Sequence, residues 1–227
     1  MKRKVFRQTR LCLFLCLVGF WAVLITGLIG CGDDDDDDSK SEAKIADYFP
    51  LKVGAKWVYI YTKDIDKDSP TTEEQTSVIT EVSLRDGVAW YHFSGTSDSL
   101  LQQIETTETA LAIVNGELLV DSGEKVGTML KDPLIVGTKW ETFLGQDSVS
   151  KFAEHEILSV SDEISTLSGI YKDVIRIRTF LVDDEESFTF YAKGVGIVKW
   201  MYGSAEGGPH DSPTQLWQTI ELKQFSN

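Results

Sequence analysis

Pro50-Leu51-Lys52-Val53-Gly54-Ala55-Lys56-Trp57 recurs as Pro133-Leu134-Ile135-Val136-Gly137-Thr138-Lys139-Trp140, with six of eight positions identical at a spacing of 83. The pattern reads as the start of a β-strand. Proline starts the strand, where its missing N–H costs nothing, and the leucine and valine that follow are expected to bury on one face. Glycine permits a turn or bulge, and tryptophan then begins the next strand as a large anchor. Trp57 and Trp140 are therefore expected in the core, with a paired aromatic platform as the functional alternative. Gly87 and Gly169, 82 apart, and Leu111–Val114 and Val195–Val198, 84 apart, extend the correspondence. Two tandem units follow, residues 47–131 and 132–227, forming one body.

Around these anchors the chain alternates with a period of two, as strands do. Trp57, Tyr59 and Tyr61 share one face against Val58 and Ile60, and Val88, Trp90 and His92 alternate with Ala89, Tyr91 and Phe93. Ile175, Ile177, Thr179 and Leu181 form one face, with Arg176 and Arg178 on the other. Residues 195–202 and Leu216, Gln218, Ile220 and Leu222 continue the period. Loops are marked at 64–70, 94–99, 183–186 and 207–209 by their aspartates, serines, glycines and prolines. No segment of the body holds a period of 3.6. The expected fold is all-β and antiparallel, about ten strands, forming a curved sheet or open barrel or else two packed sheets.

Before the body, Lys2, Arg3, Lys4, Arg7 and Arg10 precede an uncharged run from Leu11 to Ile29 that ends in Leu28-Ile29-Gly30-Cys31. This arrangement resembles the signal peptide and lipobox of bacterial lipoproteins. The resemblance implies a signal peptide over residues 1–30, cleavage between Gly30 and Cys31 by signal peptidase II, and lipidation of Cys31. The run also approaches the roughly 20 residues that span a bilayer, so an uncleaved anchor stays open. Both readings put the body outside the cytoplasm, in the cell envelope, because the basic cluster stays inside. Cys12 and Cys16 lie within the segment to be removed, so the mature chain has no disulfide.

Without the five N-terminal cations, 17 lysines and arginines remain against 36 acidic residues, a balance of −19. That argues against nucleic acid, a polyanion, as a partner. Six aspartates, 33–38, follow the lipobox, and residues 31–46 read as an acidic tether, since like charges repel and extend a chain. The body further resembles β-rich bacterial lipoprotein domains with a Pro-Leu-x-x-Gly-x-x-Trp opening and a late Gly-Val-Gly-Ile-Val strand, here residues 194–198.

Catalytic signals are thin. His92 sits in an apolar strand. His155 lies between Glu154 and Glu156, whose side chains belong to the opposite face. His210 lies in a Gly/Pro loop beside Asp211 and Ser212. There is no nucleophile elbow, zinc-protease helix or phosphate-cradling glycine loop. Asp64, Asp66 and Asp68 resemble the opening of a calcium loop. Ser69 then replaces the turn glycine and Gln75 the bidentate glutamate, so a charged hairpin loop is the plainer reading. No catalytic residue, metal or cofactor is assigned. The expected role is non-enzymatic: membrane attachment through the N-terminal lipid, with an apolar ligand or lipid carried by the sheet. A docking module for another envelope protein is the alternative, and a hydrolase with an unrecognised site is the third reading.

Overall fold

Gly54 and Gly137 adopt φ of 94° and 88°, a region closed to side chains with a Cβ, and each makes the same turn. The Gly54 N–H donates to the Ile79 carbonyl (2.8 Å), and the Ile79 N–H returns the bond to Ala55 (3.0 Å). The Gly137 N–H donates to Ile157 (2.8 Å), and Ile157 returns the bond to Thr138 (3.0 Å). The duplicated octapeptide therefore makes equivalent backbone bonds to the following strand at both places.

A computed structural model describes residues 43–95, 109–121, 123, 126–143, 152–181, 184–204 and 212–227. The lipobox, Cys31, the aspartate run and His210 lie outside the described residues. A one-turn helix, α1 (Ile45–Tyr48), precedes twelve strands. They are β1 (Lys56–Lys63), β2 (Thr71–Arg85), β3 (Val88–Gly95), β4 (Thr109–Val114), β5 (Glu117–Asp121), β6 (Val126–Lys131), β7 (Lys139–Phe143), β8 (Phe152–Thr166), β9 (Gly169–Phe180), β10 (Glu185–Ala192), β11 (Gly196–Ser204) and β12 (Gln215–Ser226). All belong to one antiparallel sheet in the order β6-β5-β4-β3-β2-β1-β12-β11-β10-β9-β8-β7. The sheet curls into a nearly closed barrel, so the two-sheet alternative falls away. The count is twelve rather than about ten, because short strands such as β5 and β7 carry too few residues to display a period. Glu185 and Glu186, expected in a loop, begin β10, whereas Pro50 and Pro133, expected to open strands, precede β1 and β7, and Val53 and Val136 are exposed because Gly54 and Gly137 turn the chain there.

Two six-strand meanders are joined through β1 and β12. The wider correspondence holds in part. Gly87 and Gly169 both sit at the hairpin between the second and third strands of their halves. Leu111–Val114, however, lie in the fourth strand of the first half, whereas residues 196–198 lie in the fifth of the second. That 84-residue match therefore pairs strands that are not topological equivalents.

Closure is made by side chains. β6 and β7 end the sheet order, and the Thr128 carbonyl on β6 accepts from Trp140 Nε1 and Thr142 Oγ1 on β7, both at 3.0 Å. A Cβ on Gly127 would lie 2.9 Å from Thr142 Cγ2, so the seam needs glycine there. The interior is filled by Trp57, Tyr59, Tyr61, Ile79, Leu111, Leu118, Leu130, Ile157, Ile177 and Ile220, all buried. Trp57 is 1% exposed; its indole N–H donates to the Val195 carbonyl (2.6 Å), and Tyr59 Oη donates to Ile197 (3.0 Å). Both polar tips are thus satisfied, as buried donors must be.

The hairpin β8–β9 is bent by three register shifts, between Ile157 and Ile164. It closes one end of the barrel. β11 pairs with β12 only as far as Lys199–Glu221, which leaves the β12 edge open beyond that point. The Ser168 N–H at the hairpin tip takes the Leu222 carbonyl there (3.0 Å). α1 packs at the same end. Tyr48 Oη donates to Asp173, and the Gly194 N–H donates to Asp47.

Candidate functional site

Strand register sorts the inward side chains into rows that run around the barrel. One row follows Ile157, Ile177, Thr189, Trp200, Ile220 and Tyr61 across β8, β9, β10, β11, β12 and β1. It is almost wholly apolar. The next row, two residues nearer the end opposite α1, follows Trp140, His155, Thr179, Ser187, Tyr202 and Gln218. This second row is polar and aromatic. The interior therefore changes character towards the far mouth.

At that mouth, Trp200, Tyr202 and Trp217 are half-buried and touch through their rings. Trp200 and Tyr202 stack at 5.7 Å with 7° between planes, and Tyr202 meets Trp217 edge-on at 5.4 Å. Aromatic rings that keep one face partly open offer area to a ring or an apolar chain at little entropic cost. Polar groups flank them. Tyr61 Oη donates to Gln218 Oε1 at 2.6 Å, which leaves the Gln218 NH2 as a donor pair. Burial, with a hydrogen bond to Glu185 second, raises the Tyr202 phenol above its ordinary range, so it remains a neutral donor. Lys63 lies over the Tyr61 ring (4.6 Å) and pairs with Glu73 (3.6 Å).

Further round the second row, His155 stacks on Trp140 (centroids 5.0 Å, planes 11° apart), and its Nδ1 meets Thr179 Oγ1 at 2.9 Å. Its Nε2 is buried and has no hydrogen-bond partner among the described residues. Burial pushes the ring down to about 4, so it is neutral at ordinary pH. Glu156 pairs with Arg178 (2.8 Å) and Glu154 with Lys139 (3.4 Å), both away from His155 as strand alternation requires.

The sequence-derived candidates disperse. Asp64 is ion-paired with Lys67, and Asp66 accepts from Gln215 Nε2 at 3.4 Å. Among the described residues no group of three or more histidine, cysteine or acidic side chains is placed to hold a metal. Asp64, Asp66 and Asp68 lie in the connection between β1 and β2. His92 Nε2 lies 2.7 Å from Ser83 Oγ, the separation of a nucleophile and its base. That pair stands exposed on the β2–β3 hairpin. No described carboxylate orients the ring's other nitrogen, so it lacks the third member that such chemistry uses. Trp57 and Trp140 are buried anchors rather than a platform. The half-buried trio of Trp200, Tyr202 and Trp217 went unseen because its members meet only once β11 and β12 pair. The alternation of Trp200 with Tyr202 was the available signal.

No protein-family model and no curated protein matches this sequence. Two solved structures are similar to it at low identity. One is described as a "putative lipoprotein" from Parabacteroides distasonis. It is 12% identical, with a TM-score of 0.45 over 79% of this chain and 98% of that one. The other is described as a "putative exported protein with YmcC-like fold" from Bacteroides fragilis. It is 11% identical, with a TM-score of 0.46 over 79% of this chain and 99% of that one.

Proposed function

We propose that this chain is a lipid-tethered, non-enzymatic binding protein of the cell envelope, with its ligand held at the aromatic mouth of the barrel. The observation that carries this reading is the half-buried group Trp200, Tyr202 and Trp217 beside the Tyr61–Gln218 hydrogen bond. It lies at the end of the barrel opposite α1, where the chain from the tether arrives. Three aromatic faces with few polar groups suit a ligand with an apolar or ring portion and a small number of hydrogen-bonding atoms. The tether rests on the lipobox resemblance at Gly30 and Cys31.

Native mass spectrometry of the protein, extracted mildly from its own membranes, tests both parts. A stoichiometric adduct beyond the acyl mass is expected, and it should be lost in Trp217→Ala. A bare chain that gains no mass from its native envelope overturns the carrier role and favours a docking module. Separately, Cys31→Ser should abolish acyl labelling and leave the precursor unprocessed. Normal labelling in that variant would remove the lipoprotein reading.

A further inference from the structure

The two ends of the barrel differ in exposed apolar surface. At the far mouth, the β1–β2 connection carries Asp64, Asp66 and Asp68 against Lys67. At the α1 end, the segment 49–55 and the connections β2–β3, β4–β5, β6–β7, β8–β9 and β10–β11 contain two acidic residues and two lysines. Although the chain is strongly acidic overall, this end is therefore close to neutral in its connections.

It is also the apolar end. Val53, Ile135 and Val136 are exposed in the two copies of the duplicated loop. Two hairpins run past the starts of β1 and β7, and both expose large side chains near their tips. On β2–β3, Val82 and Leu84 are exposed, Leu84 at 79%. On β8–β9, Leu167 is 60% and Ile170 65% exposed. Of the nine large hydrophobic side chains exposed among the described residues, only Val126 and Phe152 lie at the other end. Such a concentration of apolar surface marks a contact. The outer wall is of another kind. Lys199–Glu221 (2.8 Å) and Arg178–Glu156 (2.8 Å) pair across neighbouring strands, Lys223 of β12 reaches over β1 to Glu74 of β2 (2.5 Å), and such charges would be costly to place in lipid.

We infer that the α1 end of the barrel rests on the bilayer, with the tips of β2–β3 and β8–β9 and the two duplicated loops inserted among the lipid headgroups. The occupant is set by where the chain leads. Residue 43 belongs to this end, and Cys31 is twelve residues before it. Twelve residues span at most about 40 Å when fully extended, so a lipid on Cys31 keeps the barrel within that reach of the membrane and attaches it by this end. The anchor supplies the attachment. The exposed valines, leucines and isoleucines then set the orientation, because each gains by leaving water. This inference rests on the Cys31 anchor of the proposed function.

The test uses the full chain with Cys12 and Cys16 replaced by serine, reconstituted in phosphatidylcholine vesicles. An environment-sensitive fluorophore is placed at Leu84→Cys, at Leu167→Cys and, at the far mouth, at Ser69→Cys. Intact mass reports the acylation of Cys31. The expected result is a several-fold rise in emission at positions 84 and 167 on reconstitution. Spin-labelled lipid should quench both, and position 69 should not respond. An acylated, vesicle-bound protein whose labels at 84 and 167 match position 69 overturns the orientation alone. Shielding of those labels in lipid-free dimers, unaltered by vesicles, also overturns it, since a second copy then covers this end. Absence of the acyl mass overturns the anchor and the orientation together.

Discussion

Protonating His155 should destabilise the barrel, and the structure gives the size of the effect. The ring lies against Trp140, meets Thr179 through Nδ1, and buries Nε2 with no partner among the described residues to receive its charge. Its folded-state value is about 4, against 6.5 for the unconstrained side chain. A depressed value means that the unfolded chain binds the proton more tightly. The contribution is therefore complete above pH 6.5 and is lost as pH falls through about 4. At about 1.4 kcal/mol per unit, the loss across that window amounts to about 3 kcal/mol, a large share of a typical domain's stability. Many carboxylates titrate in the same range, so the wild-type curve alone is not diagnostic. The control is His155→Phe, which keeps a ring against Trp140 and cannot charge. Urea denaturation of both proteins at intervals between pH 8 and 4 gives the difference. The variant starts lower by the cost of losing the Thr179 bond, and the wild type then falls towards it or past it by about 3 kcal/mol. Parallel curves would refute the reasoning, because they would mean that the buried ring is solvated or paired when protonated.

Trp57→Ala removes a fully buried indole and orphans the Val195 carbonyl; a loss of about 3–5 kcal/mol is expected, seen as a melting temperature lower by roughly 10 °C or more. A change of less than a degree would place Trp57 outside the core. The double variant Trp140→Phe/Thr142→Val strips both donors from the Thr128 carbonyl, at about 1–3 kcal/mol. Hydrogen exchange should then quicken in β6 and β7 while β1 and β12 keep their protection, and a uniform increase would deny that the seam opens locally. Calorimetry with millimolar calcium should be flat, because Lys67 already occupies Asp64; a saturable heat abolished by Asp66→Asn would restore the metal loop.

Strand identity was legible in the sequence wherever a strand was long enough to show alternation, as at Trp57–Tyr61 and Ile175–Leu181. Alternation is a local property, imposed by a backbone whose successive side chains point to opposite faces. Short strands gave no such signal, which is why β5 and β7 were not resolved individually. The duplicated octapeptide also located two equivalent turns, since a glycine at positive φ and a buried tryptophan leave a mark in the chain itself. Everything that depends on which strands meet was decided by tertiary structure. Trp57 of β1 pairs with Phe225 of β12, and Thr128 of β6 receives Trp140 of β7; neither partnership has a local cue. The aromatic mouth, the buried face of His155 and the apolar end arise in the same way. Each is a set of side chains placed together by register and closure, and a one-residue slip would turn a strand's side chains to the other face.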